Sequence, residues 1–228
     1  MKLGDIERNT LINVQPAALV AEVGRVIEKA TPSEQDVFEV RRQVLARQAH
    51  LGLQDRAAPE CVAESFFRCL VIDHLQCHFR VALEEIPDWI NSSHTATRRV
   101  CSTPSRHSHH HIADTDWAEG WRRLQHRHPE VNVYVPRRRS AKRADLYLVT
   151  SDKVVSVEFK YVGQHGLRDV PACAGQMRRY VEKHAATLLA IYDGANKGSE
   201  VRGVDQLRSL FGPALSVVVV SGPAIPAR

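Results

Sequence analysis

Long apolar runs are missing from this 228-residue chain: no uninterrupted stretch approaches the roughly 18 residues that a membrane-spanning helix needs. The first eight residues, Met1 to Arg8, hold no apolar core of the kind a secretory leader carries. Cysteine is scarce; the five present are odd in number and scattered, which fits reduced thiols better than a disulfide framework. Neither Cys-x-x-Cys nor His-Glu-x-x-His occurs, so two familiar zinc-ligand spacings are excluded. Together these absences point to a cytoplasmic protein. The content is ordinary for a globular one, at 43% hydrophobic and 25% charged residues.

What charge there is lies unevenly. Residues 1–96 hold 10 Lys and Arg against 14 Asp and Glu, whereas residues 97–228 hold 21 against 12. A basic half can be a merely solvated surface, but it also suits a phosphate backbone.

The basic half contains the stretch where the chemistry concentrates, residues 144–162. Two β-prone runs, Leu146 to Thr150 and Val154 to Val162, flank the polar Ser151-Asp152-Lys153, the local signature of a β-hairpin. With a side-chain period of two, Val155, Val157, Phe159 and Tyr161 share one face of the second strand, and Ser156, Glu158 and Lys160 the other. A half-solvated strand also alternates in this way. Here, however, Asp145 opens the first strand, so a second carboxylate can lie beside Glu158 across the hairpin. Paired carboxylates suit Mg²⁺, which takes hard oxygen ligands and completes its shell with water and substrate phosphate. A lysine two residues on, on the same side, can place a metal-bound water or neutralise charge growing on a phosphate.

Asp145 followed by Glu158-Phe159-Lys160 resembles the signature of the PD-(D/E)xK nuclease superfamily, an acid at the start of one strand and Glu-x-Lys on the next. Ala144 stands where the proline of that name would be. Downstream, Gln176-Met177-Arg178-Arg179-Tyr180 is similar to the Gln-x-x-x-Tyr motif of the branch that includes phage-type exonucleases and RecB-like nuclease domains. The resemblance implies an α/β, restriction-endonuclease-like mixed-sheet core of order α-βββ-α-β, here with one extra helix and strand. It implies Mg²⁺ or Mn²⁺ as cofactor, held by Asp145, Glu158 and the backbone carbonyl of Phe159. Lys160 would assist the attacking water, with Gln176 and Tyr180 supporting the site and contacting substrate phosphate. The superfamily core opens with a helix that often supplies a further glutamate; Glu119 stands at that place, and Glu64 or Glu130 are alternatives.

Along the rest of the chain, residues 1–90 read as a helical region. Leu19, Val20, Val23, Val26 and Ile27 mark one helix between Pro16 and Thr31-Pro32. Ser33 to Asp36 reads as a capping box opening a second, and a third is expected from about Glu60 to Glu85. In the third, His74 and His78 flank Cys77, a set short of a four-ligand zinc site and better read as helix-surface histidines. Residues 91–113, rich in Ser, Thr and His, read as a linker or long loop. A nuclease-like domain is expected over 114–228, beginning with a helix that carries Trp117, Trp121 and Leu124. The strand Val131 to Val135 follows, then the run Arg137-Arg138-Arg139-Ser140-Ala141-Lys142-Arg143, with five positive charges in seven residues next to Asp145. Such a run contacts substrate phosphates or simply solvates a loop. Arg178 and Arg179 add charge near Gln176 and Tyr180.

The expected function is therefore a metal-dependent nuclease hydrolysing phosphodiester bonds, DNA before RNA, with the helical region free to bind a protein partner. The rival expectation is a non-catalytic nucleic-acid-binding or protein-interaction module on a nuclease-like scaffold.

Overall fold

Proline and a serine cap set the helical bounds early in the chain. The computed structural model describes residues 14–50, 58–79, 81–85, 130–135, 143–150, 153–167, 169–197 and 201–226. Pro16 opens helix α1 (Pro16–Glu28), which buries Leu19, Val20, Val23 and Ile27 on one face. Ser33 caps α2 (Glu34–His50): its hydroxyl accepts the Asp36 N–H at 3.2 Å, and Asp36 Oδ2 accepts the Ser33 N–H at 2.9 Å, the reciprocal pattern of a capping box. Pro59 at the first turn opens α3 (Pro59–His78).

The third helix stops seven residues before the expected Glu85. Phe79 turns extended, with φ −133° and ψ 160°, and the chain leaves as strand β1 (Val81–Glu85). β1 pairs in parallel with β2 (Val131–Val135), Val81 opposite Val131, so ladder bonds and the burial of Val81 and Leu83 outweigh another turn of helix. β2 runs antiparallel to β3 (Leu146–Thr150), and β3 antiparallel to β4 (Lys153–Val162). After α4 (Val170–Lys183) comes β5 (Ala186–Asp193), then α5 (Val204–Phe211), a single 3₁₀ turn (Gly212–Ala214) and β6 (Leu215–Ser221). β4, β5 and β6 are mutually parallel neighbours, giving one mixed sheet in the order β1-β2-β3-β4-β5-β6. The fold is α/β with an open mixed sheet.

Helices cover both faces of the sheet. On one, Leu19, Val23, Val62, Phe67, Val71 and Leu75 of α1 and α3 share a core with Leu146, Leu148, Val155, Val157, Phe159 and Leu188. On the other, Cys173, Met177, Tyr180, Val204 and Leu207 of α4 and α5 pack on Tyr147, Val149, Val154, Leu189 and Ile191. The N-terminal helices therefore form one layer over the sheet, and β1 extends it. The two faces of β4 follow the alternation in its sequence, but the polar face is enclosed: Ser156 is fully buried and Glu158 is 2% exposed. β6, apolar enough for an interior strand, has one parallel neighbour among the described strands and is half-buried along its middle. His74 ties α3 to α1 through a 2.8 Å contact between its Nε2 and Glu22 Oε1, a packing role for that histidine. The linker expected over 91–113 and the helix expected after Asp114 lie outside the described residues.

Phe67 is the joint between α3 and the sheet. It is fully buried, with its ring centroid 5.5 Å from that of Phe159 and 6.0 Å from that of Tyr192. Phe67→Ala should lower unfolding free energy by about 3–5 kcal/mol, the range for emptying a buried aromatic site. Urea unfolding followed by circular dichroism measures it, with the midpoint falling at an unchanged slope.

Candidate active site

The end of a β-ladder builds the centre of the site. The last rung between β3 and β4 pairs Leu146 with Val157, so Phe159 lies beyond the end of β3. Its N–H has no strand carbonyl to meet and instead donates to Asp145 Oδ2 at 2.8 Å. In an antiparallel ladder a residue's N–H and C=O point to the same side. The Phe159 carbonyl thus faces the same end of β3, beside Asp145.

Helix α4 closes the site from the polar face of β4. Asp169 fixes its start by accepting the Ala172 N–H at 2.9 Å, with Pro171 in the first turn. Gln176 and Tyr180, four residues apart, reach the same carboxylate. Gln176 Nε2 donates to Glu158 Oε1 at 2.7 Å and to Tyr180 Oη at 2.9 Å, and Tyr180 Oη donates to Glu158 Oε2 at 3.4 Å. Lys160 Nζ donates to Glu158 Oε1 at 2.5 Å. Five residues singled out by sequence, from β4, α4 and the turn before β3, thus form one cluster.

A third acid comes from the N-terminal helices. Glu64 of α3, 6% exposed, is paired with Arg68 one turn along. Its negative charge is felt by both Asp145 and Glu158. Of the two described glutamates among the three considered, Glu64 is the one whose charge the fold brings to bear on Asp145 and Glu158. Glu130 precedes β2, which is antiparallel to β3 with Asn132 opposite Val149, so it sits by the Thr150 end of β3, away from Asp145. Glu119 lies outside the described residues. The Glu64–Arg68 pair could have been found as an i,i+4 charge pair on the otherwise apolar buried face of α3.

Burial and crowding make Asp145 and Glu158 reluctant to ionise. Asp145 is pushed up to about 8, chiefly by burial, then by the charges of Glu158 and Glu64, against the Phe159 N–H and Lys160. Glu158 is also raised by burial, opposed by Lys160 and Gln176. For Lys160, burial favours the neutral amine, but Glu158 and Asp145 outweigh it and hold the side chain as an ammonium. Burial and the charge of Glu158 keep Tyr180 a phenol, able to donate. Burial raises the Cys173 thiol, behind Lys160, to about 11.

The remaining basic candidates divide. Arg143, two residues before Asp145, is half-buried, and its charge acts on Tyr147. Arg179 lines a cavity shared with Lys160 and Gln176. Arg178 is exposed on α4. Arg137, Arg138, Arg139 and Lys142 lie outside the described residues.

Among the described residues, no three His, Cys, Asp or Glu side chains gather as a ready metal cage. Asp145, Glu158 and the Phe159 carbonyl make an all-oxygen set with two carboxylates, which fits Mg²⁺ because that ion keeps several waters and takes few protein ligands. The raised carboxylates mark a local shortage of positive charge that a divalent cation would relieve. No protein-family model, curated protein or solved structure matches the chain. Among the described residues no helix is long and apolar enough to cross a membrane.

A carboxylate whose pKa is higher in the folded state than the unfolded value, about 3.9, stabilises the fold fully only below that lower value. The contribution of Asp145 is lost as pH rises towards about 8. With EDTA present, wild type should therefore lose stability relative to Asp145→Asn between pH 4 and 8, and the variant should be the more stable at pH 8. Urea midpoints measured across that window test this; a difference constant with pH would contradict it.

Proposed function

We propose that the protein is a Mg²⁺- or Mn²⁺-dependent nuclease of the PD-(D/E)xK superfamily, Gln-x-x-x-Tyr branch, on a restriction-endonuclease-like fold, hydrolysing phosphodiester bonds with DNA as the favoured substrate. The observation that carries this reading is the convergence of Asp145, Glu158, Lys160, Gln176 and Tyr180 on one buried hydrogen-bonded cluster. A purely structural ion pair would need neither the second carboxylate nor the uncovered strand end. The element order β-β-β-α-β over 131–193 also agrees with the core that the motifs imply.

Asp145, Glu158 and the Phe159 carbonyl would hold the cation. When bound, it supplies charge stabilisation at the phosphoryl oxygens and lowers the pKa of a coordinated water. The chain's own groups do the rest. Lys160, held as an ammonium, donates to the attacking water or to a non-bridging phosphate oxygen and offsets the charge that grows there. Gln176 and Tyr180 fix the rotamer of Glu158, so its oxygens are presented in one orientation. Glu64, with Arg68 beside it, adds negative charge behind the pair. Arg143, Arg178 and Arg179, with Arg137, Arg138, Arg139 and Lys142, would contact backbone phosphates, each contact steepening the log–log salt dependence on duplex DNA by about 0.9.

Purified protein should cleave DNA on addition of Mg²⁺ or Mn²⁺, and Lys160→Ala should cut at least about 100-fold more slowly, the usual cost of removing a group that stabilises developing charge. A thermal melt run alongside checks that the variant is folded. No cleavage of single- or double-stranded DNA or RNA by wild type, or equal rates in the folded variant, would contradict the proposal.

A further inference from the structure

Two strands end the sheet, and they are finished differently. Among the described strands β1 and β6 each have a single neighbour, β2 and β5. An edge strand offers a row of open N–H and carbonyl groups to any other strand, and natural edges are blunted by charge, proline, a bulge or short length. β1 is short and acidic, with Glu84 and Glu85 among its five residues. β6, Leu-Ser-Val-Val-Val-Val-Ser, runs for seven residues without a charge or a proline. Its pairing with β5 is one to one from Leu215 to Ser221, so no bulge turns it away.

Hydrogen bonds show which groups β6 turns outwards. Just past the strand, the Gly222 N–H donates to the carbonyl of Asp193, the last residue of β5, at 3.1 Å. Backbone groups alternate between the two edges of a strand, so Ser216, Val218 and Val220 face β5 while Leu215, Val217, Val219 and Ser221 face out. A second bond agrees: Arg208 Nη2 of α5 donates to the Val217 carbonyl at 3.4 Å, from outside the ladder. That contact is longer than the usual N–H···O distance of about 2.9–3.0 Å. Arg208 is itself exposed. Along the middle of the strand the side chains are half-buried, with Val217 and Val219 on the α5 face and Val218 on the α1 face.

We infer that β6 pairs with β6 of a second copy of this chain, antiparallel across a two-fold axis, joining two sheets into one. An axis perpendicular to the sheet keeps each side chain on its own face, so Val218 meets the partner's Val218 and Val217 meets the partner's Val219. That register sets outward groups opposite outward groups. Val217 and the partner's Val219 exchange both N–H···O bonds, as do Leu215 and the partner's Ser221. Charge selects this occupant. A two-fold contact brings a patch against itself, so a charged edge repels its own copy, and like charges directly opposite are destabilising. β6 offers only valine, leucine and serine, whereas a seam between two β1 strands would gather the acids of both copies. Pairing requires Arg208 to leave the Val217 carbonyl, which makes that residue the guard on the edge.

Sedimentation equilibrium of the full chain over about 0.1–100 μM tests this, since small interfaces are weak. Wild type should move with concentration from 25.6 kDa to twice that mass and stop there, because a two-fold contact closes. Val219→Pro removes an outward N–H without touching a bond to β5, as an edge strand tolerates. It should stay at the mass of one chain while a thermal melt shows it folded. Val217→Lys and Val219→Glu should each be monomeric alone and dimerise when mixed, since opposite charges then face each other across the axis. Arg208→Ala uncovers the Val217 carbonyl and should tighten pairing at least about fivefold, the worth of roughly one hydrogen bond. Being exposed, that position decides the matter if the β6 variants melt lower. The mass of one chain at every concentration of wild type, a dimer equally strong in folded Val219→Pro, or pairing no tighter in Arg208→Ala overturns the inference. Growth past two copies overturns it too. None of these readouts needs cleavage, so the inference stands or falls apart from the nuclease reading.

Discussion

The bond from the Phe159 N–H to Asp145, 2.8 Å long, is the constraint on which the site depends. β3 stops one rung short of where β4 could still pair, and a carboxylate takes the place of the missing strand carbonyl. That substitution fixes Asp145 against β4, brings it beside Glu158, and leaves the Phe159 carbonyl facing the open end. A β3 longer by two residues would cover this strand end with ordinary ladder bonds. The position of the acid and the length of the strand are therefore a single feature.

Holding carboxylates in this enclosure is costly, and the surrounding elements offset it unequally. Lys160, Gln176 and Tyr180 all bond Glu158, whereas Asp145 has the Phe159 N–H and the more distant charge of Lys160. Glu64 brings its own partner in Arg68. The imbalance falls on Asp145, which is why its pKa rises to about 8. Strongly shifted groups cluster where proteins do chemistry, because a fold selected only for stability would replace them with apolar residues of similar size. Under the proposed function the missing positive charge is that of the cation. The same arrangement gives α3 two tasks: it anchors the core through Phe67 and carries the charge of Glu64 towards the cluster.

Much of this was legible in the sequence because it is local. The hairpin, the alternation that puts Glu158 and Lys160 on one side, the i,i+4 spacing of Gln176 and Tyr180, and the capping box at Ser33 all follow from short-range periodicity. So does the run of elements from Val131 to Ser221. Three features were not legible, because each is set by distant parts of the chain. The helix expected to reach Glu85 ends at His78, since Val81 and Leu83 gain a strand partner 50 residues away. The polar face of β4 is buried because α4 folds back over it, which alternation alone cannot distinguish from a solvated face. Glu64 lies 81 and 94 residues before Asp145 and Glu158, and only the packing of α3 on the sheet brings its charge near them.

If Asp145 and Glu158 form a site short of positive charge, a hard divalent cation should fill it. Titrating Mg²⁺ or Mn²⁺ into metal-free protein while following the melting temperature tests it directly, since a ligand that binds only the folded state raises stability with its concentration. The melting temperature of wild type should climb with added cation, and that of Glu158→Gln, similar in shape but without the charge, should stay nearly flat. A wild type indifferent to both cations, or a variant that responds equally, would contradict the account.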